Sequence, residues 1–397
     1  MLNPRLDRLP DYPFDRLRAL LNPIRPPTDM APLALSVGEP QHPTPALVAE
    51  TLAANAHLWG KYPPIEGTAD FRDAVASWLK RRYKLPDGFL DADNQILPAS
   101  GTREVLYLIA DLAVSDSRAD GRRPAVLMPS PFYHVYGGAA AMSGAEPVYL
   151  PAGRDTGFLP DLDALSEDLL RRTALFYLCS PANPQGAVAD AAYLEKAIRL
   201  AQAHNFVLAM DECYAEIYDS EPPPGALEIA AAKGLGAKNI VVFHSLSKRS
   251  SAPGLRSGFV AGDKDLMIPF RRLRSYAATA VPLPILAAST ALWREEGHVA
   301  ENRDLYRAKF DLADEYLGNR PGYTRPAGGF FLWLDVGDGE EAARKLWAEA
   351  AIRVLPGAYL AREDRAGSNP GRAFVRVALV HDLATTRQAF ERIVKVL

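Results

Sequence analysis

Ser245-Leu246-Ser247-Lys248-Arg249-Ser250-Ser251-Ala252-Pro253-Gly254-Leu255-Arg256 directly follows the apolar run Asn239 to His244. Such a run reads as a buried strand, so this stretch is a serine-rich turn at a strand end, holding one lysine and, further on, an arginine. A lysine amine that attacks an aldehyde must shed its proton near neutral pH. Partial burial and neighbouring cations lower its pKa enough to allow that. Hydroxyls and a guanidinium fork are what a phosphate monoester needs. An aldehyde and a phosphate in one turn point to pyridoxal 5′-phosphate (PLP). The plain alternative is a surface loop with a solvated lysine.

Working outward, Asp211 ends the apolar run Phe206 to Met210 and opens Asp211-Glu212-Cys213-Tyr214. A carboxylate at the carboxyl end of a parallel strand is well placed to pair with a pyridinium nitrogen. A helix N-cap would use an aspartate there equally well. Tyr214 can donate to the ring's phenolic oxygen. Asn183 sits in the stiff turn Ser180-Pro181-Ala182-Asn183-Pro184-Gln185-Gly186, after the apolar run Ala174 to Cys179. Ser100-Gly101-Thr102 precedes a helical pattern through Leu106, Leu108, Ile109 and Leu112. Free N–H groups and a hydroxyl at a helix start suit a phosphate, though ordinary capping explains them too.

In this order, together with Tyr133, Pro253-Gly254-Leu255-Arg256 and Arg376, these segments resemble the class I/II aminotransferases, from about Ser36 to the C-terminus. The resemblance implies a PLP-dependent transferase of fold type I. That fold is α/β, with a large domain (46-290) built on a mostly parallel seven-stranded sheet and a smaller α+β domain (1-45 and 291-397). It also implies roles. Lys248 bonds the cofactor aldehyde and carries the proton; Asp211 pairs with the ring nitrogen; Asn183 and Tyr214 meet the phenolic oxygen. Gly101, Thr102, Ser245 and Arg256 hold the phosphate, with Ser247 a further candidate, and Tyr133 stacks on the ring. Arg376 grips the substrate α-carboxylate, with Gly38 closing over it and Asn183 beside it. Tyr62 reaches the phosphate of a neighbouring subunit, so a homodimer with shared active sites is expected. As plain core or surface residues, Tyr62, Tyr133 and Arg376 carry no such role. Yet a lone arginine inside the apolar strand Phe374 to Leu379 calls for an anion.

The bulk of the 397-residue chain agrees. A net charge near −3 with mixed signs offers no basic face to nucleic acid and no membrane patch. Two cysteines, Cys179 and Cys213, fit a reducing compartment, and no His/Cys spacing suggests a metal. Without a signal-like N-terminus or a spanning apolar run, a cytoplasmic protein is expected. Strand-like runs at Ala125 to Met128, Ala174 to Cys179, Phe206 to Met210, Asn239 to His244 and Gly258 to Ala261 have helical patterns between most of them, including Thr102 to Ser115 and Asp190 to His204. From Val299 a long charged helix is followed by strand, helix, strand and helix. Pro222-Pro223-Pro224-Gly225 reads as a surface loop.

Further stretches resemble the N-succinyldiaminopimelate aminotransferase subgroup: Tyr12-Pro13-Phe14, Gly38 to Pro45, Pro131-Phe132-Tyr133, Ser247 to Ser250, Gly328 to Leu334 and Asn369 to Arg372. Ser251 departs from that pattern, where asparagine is usual. The subgroup moves an amino group between N-succinyl-L,L-diaminopimelate and 2-oxoglutarate/glutamate in lysine synthesis, by ping-pong exchange of amino acid and keto acid. Distal carboxylates ask for a second cation, for which Arg249, Arg25 and Arg274 are candidates. Rival readings are an aminotransferase for alanine, aspartate or aromatic amino acids, and a PLP-dependent C–S β-lyase. A PLP-binding regulator domain would need DNA-binding helices, for which the segment before Ser36 has no room.

Overall fold

A computed structural model describes residues 2–9, 11–116, 121–363 and 367–397. Seven strands form the central sheet: β1 (Ile96–Ala99), β2 (Ala125–Ser130), β3 (Glu146–Pro151), β4 (Thr173–Cys179), β5 (Val207–Asp211), β6 (Ile240–Ser245) and β7 (Gly258–Gly262). Their order is β1-β7-β6-β5-β4-β2-β3. All neighbours are parallel except β7, which runs against both β1 and β6. Every residue of β4, β5 and β6 is buried, as expected of strands covered by helices on both faces. Helices such as Thr102–Ala113 and Ala191–His204 supply that cover. The latter starts where Asp190 accepts from the Tyr193 N–H and stops at Asn205 in the left-handed region.

Five of these strands match the runs read from sequence to within a residue or two. The other two lie at the sheet edges. β1 carries Pro98, which lacks a ladder donor, and β3 (Glu-Pro-Val-Tyr-Leu-Pro) is mostly half-buried. Both are edge compositions that blur a hydrophobic period. The proline loop also differs from expectation. Pro223 and Gly225 are buried, and a Cβ on Gly225 would stand 2.5 Å from the Tyr83 ring.

A second, three-stranded antiparallel sheet has β9 (Leu355–Pro356) beside β10 (Phe374–Ala378), which pairs in turn with β8 (Phe331–Asp335). Helices Gly297–Leu317, Gly339–Ala350 and Leu383–Val396 pack on it. The N-terminal segment joins this core: Leu17, Leu20 and Leu21 of helix Pro13–Leu21 bury there, and Leu33–Ala34 pairs in parallel with Ile352–Arg353. The crossing from N-terminal segment to central sheet lies at Gly38, whose Cβ position is 2.6 Å from the Phe331 ring. Backbone packed that closely against β8 brings the two cores to a common crevice at the carboxyl ends of β4, β5 and β6.

Candidate active site

In the crevice lies a cavity of about 450 Å³, lined by residues from both cores. Its floor is Asp211, the last residue of β5, opposite Cys179 of β4. Asp211 Oδ2 accepts from the Tyr136 hydroxyl at 2.5 Å, and Oδ1 from the Cys213 N–H at 3.3 Å. Burial pushes this carboxyl up, against those hydrogen bonds and the field of His244. Among the described residues no salt bridge reaches this carboxylate, and a protonated ring nitrogen would supply that partner.

Lys248 enters from the turn after β6, where Ser245 Oγ accepts from the Ser247 N–H at 3.1 Å and starts the short helix Leu246–Arg249. Its Nζ donates to the Gly38 carbonyl at 2.6 Å and stands 5.2 Å from the Phe330 ring centroid. Part of its surface stays open to the cavity, yet burial lowers its pKa to about 8. Arg376 and Arg256 act the same way, opposed by Cys213 and Glu39. Opposite it, Asn183 bridges two other candidates: Nδ2 donates to the Tyr214 hydroxyl at 3.4 Å, and Oδ1 accepts from Arg376 Nη1 at 3.1 Å. Arg376 is buried on β10. Its Nη2 donates to the Ser36 carbonyl at 2.7 Å, its Nε has no hydrogen-bond partner among the described residues, and burial brings its pKa down to about 10. A guanidinium in that condition awaits a carboxylate.

Gly101 caps helix Thr102–Ala113 at φ +80, and its Cβ position is 2.0 Å from Arg256 Nη2. Glycine at that φ lets the backbone approach the Arg256 fork, and Thr102, Ser245, Ser247 and Arg256 line the cavity beside the start of that helix. The residues therefore fit PLP: an amine for the aldehyde, a carboxylate for the ring nitrogen, and a cationic, N–H-rich cradle for the phosphate. Tyr133, which caps helix His134–Ser143, completes the wall.

Tyr62 stands apart, its side chain fully exposed and outside the cavity lining. The three arginines that sequence offered as candidates for a second cation do not line the cavity either. Arg249 is buried and spent on the Leu292 and Glu295 carbonyls and on Glu296. Arg274 pairs with Glu104 at 3.1 Å, and Arg25 lies on the surface. Instead Arg103, next to Thr102, faces the cavity and donates from Nε to the Tyr133 hydroxyl at 3.0 Å. Tyr136 and Tyr12 are further lining residues missed as site candidates. Tyr136 had a signal, since three residues after Tyr133 is the same helix face.

The chain is similar to known proteins in sequence and in fold. A sequence model of the family described as aminotransferase class I and II matches residues 31–393. The LL-diaminopimelate aminotransferase of Syntrophobacter fumaroxidans is 31% identical over 98% of this chain and 97% of its own. A crystal structure of an aminotransferase from Neisseria meningitidis superposes with a TM-score of 0.94, at 42% identity over 99% of both chains. A probable N-succinyldiaminopimelate aminotransferase from Thermus thermophilus gives 0.83 at 26% identity, over 97% of this chain and 100% of that one.

Proposed function

This chain belongs to the class I and II aminotransferases, PLP-dependent enzymes of fold type I, and we propose that its donor is N-succinyl-L,L-diaminopimelate, with 2-oxoglutarate as acceptor, in diaminopimelate and lysine synthesis. The carrying observation is the charge pattern of the cavity wall. Arg376 lies at one side and Arg103 at another, while among the described lining residues Asp211 is the one carboxylate. His134, pushed down to about 4 by burial, is neutral at pH 7, and with Arg256 given to the phosphate and Lys248 to the aldehyde the additional cation is Arg103. A free second ammonium on the substrate would meet cations and no spare carboxylate. Acylation by succinate removes that ammonium and adds a carboxylate that suits Arg103.

The residues then divide the work. Arg376, steadied by Asn183 and Ser36, takes the α-carboxylate, and Gly38 closes beside it. Lys248 Nζ, neutral at modest cost, would take the proton from the substrate Cα and carry it to the cofactor side of the new bond. When bound, PLP supplies an electron sink for the pair left on that carbon. Asp211 would keep the ring nitrogen protonated, Tyr214 and Asn183 would hold the phenolic oxygen, and Tyr133 would cover the ring face. Gly101, Thr102, Ser245 and Arg256 would retain the phosphate. Full exposure of Tyr62 supports its service to a second copy's site in a homodimer. The two hydrophobic cores support a large unit, 46–290, and a small one, 1–45 with 291–397; the cut falls best after Arg294, since Leu292 and Trp293 pack with the large one.

Names of curated relatives favour a second reading, free L,L-diaminopimelate as donor. Steady-state kinetics with both donors and 2-oxoglutarate separate the two. The proposal expects kcat/KM at least about tenfold higher for the succinylated donor, and Arg103→Met to erase that preference. A preference for the free diamine would replace this reading with the second.

A further inference from the structure

One buried basic pair has no part in the chemistry above. Lys309, on helix Gly297–Leu317, is 1% exposed, and among the described residues no carboxylate lies in ion-pair contact with it. Its Nζ donates to His42 Nε2 at 2.6 Å and to the Leu379 carbonyl at 3.0 Å, and stands 4.8 Å from the Tyr306 ring centroid. With Nε2 accepting, His42 carries its proton on Nδ1, which donates to Asn302 Oδ1 at 3.0 Å. The same oxygen accepts from Ser251 Oγ at 2.9 Å. Asn302 Nδ2 in turn donates to the carbonyls of Lys248 at 3.1 Å and Arg249 at 3.3 Å.

These bonds close a ring. Lys248 Nζ donates to the Gly38 carbonyl; the chain runs from Gly38 to His42; and His42 leads through Asn302 back to the Lys248 carbonyl. The segment between is pinned at Gln41, whose N–H donates to the Val380 carbonyl at 3.1 Å. Both ends of the catalytic lysine, its backbone and its ammonium, are thus tied to Gly38–His42 through one polar chain anchored on Lys309. Burying a lysine without a carboxylate costs stability that an apolar side chain of that length would not. A network kept at that cost needs a geometric reason.

We infer that His42, Asn302 and Lys309 are positioning residues for amino transfer: they hold the Gly38–Pro40 segment and Lys248 in one fixed relation, so that Nζ faces the substrate carbon beside the bound α-carboxylate. The inference rests on the reading of Lys248 as the proton carrier. Its test is the double variant His42→Phe/Lys309→Met, which replaces both polar partners with apolar groups of similar size and so leaves no buried ammonium unpaired. Expected are a melting temperature close to wild type and a kcat/KM about tenfold lower. The pH midpoint of the cofactor's visible band should also move, as a purely structural role would not require. Asn302→Ala, which keeps the lysine–histidine pair but cuts its link to Lys248, should reproduce both kinetic and spectral changes even if the double variant folds poorly. Wild-type kcat/KM and an unmoved band midpoint in either folded variant would overturn the proposal. A wild-type protein with no visible band in the presence of PLP would overturn the Lys248 reading and this one together, and that result is seen before any substitution is made.

Discussion

An amine attacks an aldehyde only when neutral, so the rate at which the cofactor-free protein captures PLP reports on Lys248 directly. Burial holds this lysine at about 8 instead of 10.5, aided by Arg376 and Arg256 against Cys213 and Glu39. At pH 7 about one Lys248 in ten is then neutral, against roughly one in 3,000 for an ordinary lysine, a gain of about 300-fold. Stopped-flow mixing with PLP across a pH series should therefore give a capture rate that climbs to a midpoint near 8 and levels off. A rate still climbing through about pH 10 would refute the reasoning. The same depression bears on stability. The folded chain holds fewer protons than the unfolded chain between pH 8 and 10.5, so stability falls as pH drops through that window and stays reduced below it. The cost is about 3 kcal/mol, less what the bond to the Gly38 carbonyl returns. Lys248→Met should accordingly stabilise the cofactor-free protein against urea at pH 7 while abolishing covalent capture; a destabilised variant would contradict the sign.

Asp211→Ala should lower kcat by at least about a hundredfold through loss of the ring-nitrogen partner, measured in single turnovers with PLP saturating. Arg376→Ala should raise KM for amino donors about a hundredfold and leave PLP bound, since its fork serves the α-carboxylate; loss of PLP would mean that the wrong arginine has been assigned. Gly101→Ala, which sets a Cβ against Arg256 at a strained φ, should weaken PLP binding about tenfold and also lower the melting temperature of the cofactor-free protein, since the backbone strain is present with or without PLP; unchanged PLP affinity would contradict the cradle.

Much of this site is readable because of where polar residues interrupt apolar runs. Asp211, Ser245 and the turn holding Asn183 each follow a run buried on both faces, and parallel strands present such ends at one crevice. The edge strands Ile96–Ala99 and Glu146–Pro151 lack such runs, and their pairing is decided by neighbours far along the chain. Arginines were harder. Arg249 and Arg103 look alike in sequence, but one is consumed by carbonyls and a glutamate some fifty residues away, while the other faces the cavity. Which guanidinium is spent and which is free depends on tertiary packing that no local pattern carries. The same holds for His42 and Lys309, whose contact spans most of the chain.

The most direct test is the visible spectrum of the purified, PLP-loaded protein before and after N-succinyl-L,L-diaminopimelate is added. Loss of the band from lysine-bound cofactor, restored by 2-oxoglutarate, is the result this account predicts. A band that ignores this donor but responds to glutamate would contradict the donor assignment, and no band at all would contradict the role of Lys248.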